Sequence, residues 1–231
     1  MSSTFRKYIF RIGISLSCFA FLVLVFLILP PIGKHYHVPA ANMFPTLIPG
    51  DIIYSSNYGY TFSDDKMPQR GDIITFIPEG GRQVFVKRVV AIPGDRLQIR
   101  QGRLYLNDTL VERKPKGTER LHLRFKREAE TYALYEQQFA EDMQSFQIFE
   151  KSDNERLDNT PIFTLPKGYV FVLGDNRDNS FDSRVPVERG GAGLAPIENI
   201  IGEVKYILVP SKSCENDEGL YCPKRKFFKK L

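Results

Sequence analysis

An uncharged apolar run from Ile12 to Leu29 is the feature that most constrains how this chain can fold. A helix rises about 1.5 Å per residue, so a run of this length just crosses a bilayer core of about 30 Å. The residues before it carry three basic side chains and no acidic one, and basic flanks mark the cytoplasmic side. We therefore predict a basic cytoplasmic segment over 1–11, a single-pass transmembrane anchor over 12–32, and a body on the outer, periplasmic side of the inner (plasma) membrane.

A cleavable signal peptide is the alternative interpretation of the same run. Its apolar region would be shorter, about 7–15 residues, and a small-x-small cleavage site would follow it. Residues 30–34 (Pro-Pro-Ile-Gly-Lys) follow the run instead. Length and flanks favour an uncleaved anchor. A buried core helix is disfavoured because the run is apolar on every side.

Beyond the apolar run, short β-rich segments recur between turn residues. The chain has 17 glycines and 15 prolines, which favours many turns over a helical bundle. Segments that alternate in polarity or are continuously β-branched predict strands. These segments cover 51–55, 71–77, 83–92, 96–100, 103–107, 169–173 and 200–209. We predict a mainly β fold whose core combines residues 33–112 with 161–212.

Residues 113–160 differ from the segments on either side of them. They are rich in charged residues and glutamine, which indicates an insert that projects from the β-rich core. Within it, residues 129–140 are compatible with a short helix. The insert is therefore expected to be a polar α/β unit.

The last segment, residues 213–231, is a basic tail. Five cations and two phenylalanines follow Pro223, and each cation near an anionic membrane surface contributes about 1 kcal/mol to binding. A solvated, disordered tail is the alternative. Cys214 and Cys222 lie in the first half of this tail. They can form a disulfide in an oxidising space or remain two free thiols, and the sequence leaves that choice open.

Lys87 lies in one of the predicted strands with Phe85, Val86, Val89 and Val90 around it. On a strand, Phe85 and Val89 share the face of Lys87. Burial on an apolar face lowers the pKa of a lysine, so that its neutral amine can act as a general base. The alternative is a lysine at an exposed strand edge, where its charge prevents aggregation.

Residues 174–184 (Gly-Asp-Asn-Arg-Asp-Asn-Ser-Phe-Asp-Ser-Arg) are too polar for a core strand. Three aspartates and two arginines in so short a segment predict a turn held by ion pairs and by bonds from side chains to the backbone. Such a turn would hold the hydroxyls of Ser180 and Ser183 in fixed positions. An ordinary polar turn is the alternative.

Taken together, these motifs resemble those of type I signal peptidases, the Ser/Lys membrane peptidases of the S26 family. The 174–184 segment and the run Lys-Arg-Val-Val-x-x-Pro-Gly-Asp at 87–95 are complete, and Met43, Pro45 and Thr46 fit the family's first box. The resemblance covers about residues 35–112 and 160–209. It implies an all-β catalytic core that removes signal peptides from exported precursor proteins after small-x-small sites, without a cofactor.

The resemblance also implies roles for individual residues. Carried over to this sequence, they are Lys87 as general base, Ser180 as the hydroxyl that hydrogen-bonds and orients this lysine, Asp182 and Arg184 as the ion pair that shapes the site, Asp175 as a supporting acid, and Met43, Pro45 and Phe85 as substrate contacts. Substrate would bind as an extended segment in shallow apolar pockets with strand-like main-chain pairing. The implied partners are precursor proteins and membrane lipid.

The sequence departs from the family at the nucleophile. The nucleophilic serine precedes Met43 in the family's first box, and this chain has Asn42 there. An amide has no hydroxyl for Lys87 to activate, and loss of such a nucleophile lowers kcat by about 10⁶. Three hypotheses follow: a signal peptidase that uses another hydroxyl, an inactive homologue that binds precursor segments or a partner peptidase, and a membrane-tethered structural module.

Other functional classes find little support in the sequence. His35 and His37 have no third ligand near them, so no metal site is predicted. No phosphate-binding glycine loop or dinucleotide fingerprint is present, so no cofactor is predicted. The formal net charge is +5, but the basic clusters lie at the two ends of the chain, which disfavours nucleic acid as a partner.

Overall fold

The structure, a computed structural model, describes residues 33–57, 67–122, 128–214, 219–224 and 226–231. The predicted cytoplasmic segment and the predicted anchor, residues 1–32, lie outside this description, so the anchor stays a prediction. Among the described residues, no helix is long and apolar enough to cross a bilayer. The helices found there are short 3₁₀ turns at Ala41–Met43, Arg177–Asn179, Val187–Arg189 and Ile197–Asn199.

Strands dominate the described residues, which confirms the mainly β class. They are β1 (Gly33–His37), β2 (Ile52–Ser56), β3 (Ile73–Phe76), β4 (Phe85–Ala91), β5 (Arg96–Arg100), β6 (Arg103–Leu106), β7 (Thr109–Leu110), β8 (Arg113–Leu121), β9 (Glu130–Gln137), β10 (Phe146–Glu150), β11 (Phe163–Thr164), β12 (Tyr169–Leu173), β13 (Ala195–Pro196), β14 (Ile200–Val209) and β15 (Lys229–Lys230). They form three antiparallel sheets.

The largest sheet places β4 between β3 and β12. Its strand order is β1-β2-β14-β3-β4-β12-β13, and β15 pairs with β14. In this register Ile74 lies opposite Lys87, and Leu173 lies opposite Arg88. Because β4 is covered along both edges, Lys87 lies inside the sheet rather than at its rim. Gly174, the first residue of the predicted polar turn, follows directly after β12.

A four-stranded sheet, β11-β5-β6-β7, packs against β4, which carries the lysine, and against its neighbour β12. Its buried side chains, Leu97 and Leu104, join Val90 and Phe171 of the larger sheet in one apolar cluster. Burial of such side chains stabilises a fold by about 1.5–3 kcal/mol each. This cluster fixes β4 and β12 relative to each other, and so fixes the base of the polar turn.

The expected helix at 129–140 is wrong. Residues 113–150 form a three-stranded sheet, β10-β9-β8, because Tyr132 and Leu134 are buried with a period of two, as on a strand. The insert also does not project from the body. Tyr132 and Leu134 join Phe149, Phe44 and Ile48 in one buried cluster. The insert sheet therefore supports the loop that carries Asn42.

The C-terminal segment is structured where it is described, so the disordered-tail alternative is wrong there. Cys214 and Cys222 form a disulfide, with their Cα atoms 5.4 Å apart. β15 pairs with β14, and the amide of Leu231 donates a hydrogen bond to the carbonyl of Lys205 at 3.0 Å. The segment therefore returns to the main sheet.

Candidate active site

Lys87 is buried, as expected for a lysine that acts as a base, and only 1% of its surface is exposed. Desolvation lowers its pKa from 10.5 to about 8, and Asp182 opposes this shift while Arg184 adds to it. Its Nζ lies 5.8 Å from the centre of the Phe85 ring. The exposed-edge alternative is therefore wrong, and an appreciable fraction of the amine is neutral near pH 8.

The predicted ion pair between Asp182 and Arg184 is present and buried. Arg184 Nε donates to Asp182 Oδ1 and Arg184 Nη2 to Asp182 Oδ2, both at 2.9 Å. The amide of Gly174 donates to Asp182 Oδ2 at 3.1 Å. Burial alone would raise the pKa of Asp182, but the charge and hydrogen bonds of Arg184 hold it below its usual value. The pair thus closes the 174–184 turn with a fixed negative charge near Lys87.

Asp175 binds a partner that the sequence did not single out. Arg88 donates through Nε to Asp175 Oδ1 and through Nη2 to Asp175 Oδ2, both at 2.7 Å. Its Nη1 donates to the carbonyl of Gly71, and Thr46 Oγ1 also donates to Asp175 Oδ2. This fork joins β4, the polar turn and the loop of Asn42. Arg88 and Thr46 both lie in the motifs that carry the family resemblance, and this was the one sign in the sequence that they belong to the site.

Asn42 lies in the 3₁₀ turn Ala41–Met43 and is half-buried. The amide of Asn176 donates to the carbonyl of Asn42, and Asn176 Nδ2 donates to the carbonyl of Ala41, both at 3.1 Å. A Cβ at Gly174 would overlap both the Asn42 carbonyl and the Ser180 side chain. Only glycine at 174 therefore allows the nucleophile position and Ser180 to approach each other this closely.

Ser180 is buried, and its Oγ has no hydrogen-bond partner among the described residues. The hydrogen bond to Lys87 that the resemblance implies is not formed in this structure, so the orienting role of Ser180 stays a prediction. Buried hydroxyls normally find a partner. An unsatisfied hydroxyl at this position remains available to a bound segment or to a rotated lysine.

A cleft of about 780 Å³ opens beside these residues. Ala40, Ala41, Asn42, Phe85 and Ser180 are among the residues that line it. Its volume lies in the range of sites that hold a drug-sized ligand, about 300–1,000 Å³. Lys87 is buried and is not part of the lining, whereas Phe85, two residues earlier on the same strand, is. The cleft therefore has small and apolar side chains next to the nucleophile position.

Two of the three predicted substrate contacts are not in this cleft. Phe85 lines it, but Met43 is fully buried and packs with Leu47, Ile53 and other core residues. Pro45 borders a separate depression beside Arg88. Because successive residues of the turn point in different directions, Asn42 faces the cleft while Met43 faces the core. Met43 therefore lies outside the cleft lining, and its role as a substrate contact stays a prediction.

No group of three or more potential metal ligands (His, Cys, Asp or Glu) is found in the described part of the chain. The side chains around the cleft are instead a lysine, hydroxyls, amides and paired carboxylates. Such a set suits acid–base and acyl-transfer chemistry, in which a neutral amine takes a proton from a hydroxyl.

A family model described as signal peptidase, peptidase S26, matches residues 10–209. A signal peptidase I of Rickettsia typhi is 33% identical over 227 residues, covering 86% of this chain and 80% of that protein. One from Rickettsia canadensis is 32% identical over 231 residues, covering 87% and 82%. A signal peptidase I from Enterococcus faecalis, known from a crystal structure, is similar to this chain with 26% sequence identity and a TM-score of 0.33. The match covers 60% of this chain and 97% of the Enterococcus faecalis chain.

Proposed function

The chain belongs to the signal peptidase S26 family, and from this premise we propose that its cleft binds the signal-peptide end of exported precursor proteins. The bound segment would be extended, with small side chains against Ala40, Ala41 and Ser180. Hydrolysis by the Ser/Lys chemistry of the family would need a hydroxyl at position 42, where this chain has Asn42. The protein is accordingly a binder of signal peptides with at most a residual peptidase activity.

The buried Lys87 is the observation that carries this proposal. Its pKa of about 8 makes the neutral amine accessible near physiological pH. In Ser/Lys chemistry that amine takes the proton of a serine hydroxyl, whose oxygen attacks the scissile carbonyl and forms an acyl-enzyme. The amine then passes the proton to the leaving amino group. The amide of Asn42 cannot enter this sequence, because its nitrogen is not nucleophilic and it has no hydroxyl proton.

A second candidate function is a signal peptidase that uses another hydroxyl. The unpartnered Oγ of Ser180, which lines the same cleft, favours it. In that case Ser180, activated by Lys87, would form the acyl-enzyme. The two candidates differ in one measurable respect, since only the second predicts cleavage by the unaltered chain that is lost in Ser180→Ala.

The test compares the full chain with Asn42→Ser, Asn42→Ser/Lys87→Ala and Ser180→Ala, using a precursor with an Ala-x-Ala site. We expect binding without appreciable cleavage by the parent, and a gain of up to about 10⁶ in kcat for Asn42→Ser that disappears with Lys87→Ala. Asn179→Ser is the matched control, because Asn179 also lines the cleft and is half-buried. It adds a hydroxyl in the wrong place.

Each outcome separates the hypotheses. Cleavage by the parent that Ser180→Ala abolishes would replace the binding proposal with the second candidate. A chain that neither binds the precursor nor gains activity with Asn42→Ser would contradict both and leave the membrane-tethered structural module. A gain in Asn179→Ser as large as in Asn42→Ser would show that position 42 is not special.

The anchor at 12–32 is part of the same proposal. A body that meets precursors as they emerge from the membrane needs a tether on the outer side, and the apolar run with its basic flank suits that arrangement. In a bacterial host, the full chain should stay in the membrane fraction after alkaline extraction, and proteases added from outside should degrade its body. Deletion of residues 12–32 should release it; membrane retention without this segment would contradict the anchor.

A further inference from the structure

One end of the cleft is built by the C-terminal segment rather than by any of the motifs that carry the family resemblance. Ser213, Cys214, Leu220 and Tyr221, here termed the C-terminal wall, all line the cleft that Asn42 and Ser180 also line. None of the roles implied by the family resemblance falls on these four residues. The wall therefore needs its own explanation.

Several contacts hold the wall against the loop that follows Asn42. The amide of Ser211 donates to Asp51 Oδ1 at 2.9 Å, and Ser213 Oγ donates to the carbonyl of Pro49 at 3.0 Å. The disulfide between Cys214 and Cys222 ties the two halves of the wall together. Since the loop carrying Asn42 is itself packed in the core, the wall has a fixed position relative to the nucleophile position.

Tyr221 extends this attachment to the insert sheet. Its amide donates to the carbonyl of Arg120 at 2.8 Å. Its ring meets Phe149 edge-on at 5.1 Å and lies 6.2 Å from Phe44, measured between ring centres. Aromatic pairs at these distances stabilise the packing beyond the area that they bury. Tyr221 therefore holds the wall against Phe149 and Phe44.

The two ends of the cleft differ in polarity. Around Ser180 the lining is polar, with Asn42, Asp178 and Asn179, whereas at the wall it is apolar, with Phe44, Leu121, Leu220 and Tyr221. An extended segment advances about 3.3 Å per residue and alternates its side chains between two faces. A segment with a small residue near Asn42 would thus place another side chain at the wall.

We infer that the C-terminal wall is an apolar subsite that selects an aliphatic or aromatic side chain at one position of the bound segment. The inference rests on the proposed function, because it concerns the same cleft and the same extended ligand. Leu220 supplies the contact surface, and the disulfide and Tyr221 hold that surface in place. Discrimination of an apolar from a polar side chain in such a pocket amounts to about 10- to 200-fold.

The test measures binding of fluorescent Ala-x-Ala peptides to the full-length protein. In each peptide one position outside the small residues is either Leu or Ser, and the ratio of the two dissociation constants is determined for every position. The parent should prefer Leu at one position by at least tenfold. Leu220→Ser should reduce that ratio to less than threefold, while Leu110→Ser, a half-buried leucine on β7 outside the cleft, should leave it unchanged.

A reducing agent provides a second measurement that does not alter the peptide. It should lower the preference for Leu in the parent and have no further effect in Cys214→Ser/Cys222→Ser, with circular dichroism showing that the sheets remain folded. Unchanged ratios in Leu220→Ser, or no position that prefers Leu, would overturn the subsite while leaving precursor binding intact. Failure of the parent to bind any Ala-x-Ala peptide would instead overturn the proposed function and the subsite with it.

Discussion

The two sides of the cleft differ in how their side chains are held. On the base side, Lys87 and the Asp182–Arg184 pair are buried, and the pair is fixed by hydrogen bonds from two directions. On the nucleophile side, Asn42 is half-buried and is anchored through its main-chain carbonyl. A substitution on the base side disturbs the core, whereas a substitution of Asn42 changes only the side chain that lines the cleft.

This difference explains how a chain can have most of the family's motifs and still have an asparagine at position 42, the proposed nucleophile position. Removal of one partner from a buried ion pair typically destabilises a fold by about 3–5 kcal/mol. Asp182, Arg184, Arg88 and Asp175 are therefore required for folding whether or not the protein cuts a substrate. Their presence is weak evidence for catalysis, and the loss of a hydroxyl at position 42 has no structural penalty that would oppose it.

Lys87 is the exception on the base side. Its burial is unfavourable to the charged amine, as the lowered pKa shows, and none of the charged groups around it offsets that desolvation completely. A residue that destabilises the fold is explained more readily by function than by structure. Lys87, rather than the ion pairs around it, is the residue that favours retained chemistry or retained binding.

The largest effect is expected for Asp182→Asn. The change leaves Arg184 buried without its carboxylate, so the free energy of unfolding should fall by about 3–5 kcal/mol in urea denaturation at pH 7. Asp108→Asn is the matched control, because Asp108 pairs with Arg96 at the surface, where such pairs contribute at most about 1 kcal/mol. Equal effects of the two substitutions would remove the structural explanation for the retained turn.

Lys87→Met should act in the opposite direction. Below the folded pKa of about 8 the charged amine is buried at full cost, and a shift from 10.5 corresponds to about 3 kcal/mol. Between pH 8 and 10.5 the unfolded chain binds a proton that the folded chain does not, so the parent gains stability as pH rises. The variant's advantage should therefore be largest at pH 7 and shrink by pH 10.

Comparison with Lys167→Met isolates the contribution of burial, because Lys167 is exposed. The control should show neither the gain in stability nor its pH dependence. A Lys87→Met variant less stable than the parent at pH 7 would mean that the amine is satisfied in the fold. The burial of Lys87 would then be explained by stability, and no residue on the base side would need a functional explanation.

The features that the sequence predicted are local, and those that it missed join distant residues. The apolar residues around Lys87 indicated a buried amine and left an exposed strand edge open as the alternative. The density of charge in 174–184 indicated a turn held by ion pairs and left an ordinary polar turn open. The fork between Arg88 and Asp175 joins positions 87 residues apart, and no local pattern encodes it. For the same reason the sequence did not reveal that Tyr221 packs on Phe149.

The error in the insert has a different physical origin. Residues 129–140 contain alanine, glutamate and glutamine, which favour helices, but Tyr132 and Leu134 are buried on one face by the neighbouring strands. Strand preference depends on such tertiary packing more than helix preference does. The local sequence therefore favoured a helix, whereas pairing with β8 and β10 makes the segment a strand.

The pH dependence of cleavage by Asn42→Ser should report the pKa of Lys87 directly. The neutral amine is the active form, so the rate should rise with pH by about tenfold per unit below pH 8 and level off above it, roughly 50-fold in all from pH 6 to pH 8. Binding of the peptide, measured over the same range, serves as the control. A rate that still rises steeply at pH 10 would give the lysine the pKa of a solvated amine, and a flat rate would mean that Lys87 is not the base.

The smallest effect is expected at the nucleophile position itself. Asn42→Ala leaves the main-chain carbonyl that accepts from Asn176 in place, so the free energy of unfolding should change by less than about 0.5 kcal/mol. Asn176→Ala is the matched control: Asn176 is fully buried, and its Nδ2 donates to the carbonyl of Ala41, which predicts a loss of about 1–3 kcal/mol. If Asn42→Ala proved as destabilising as Asn176→Ala, the asparagine would have a structural role of its own. The asparagine at position 42 would then be explained by the packing of this loop, and not by a position where the side chain has little effect on stability.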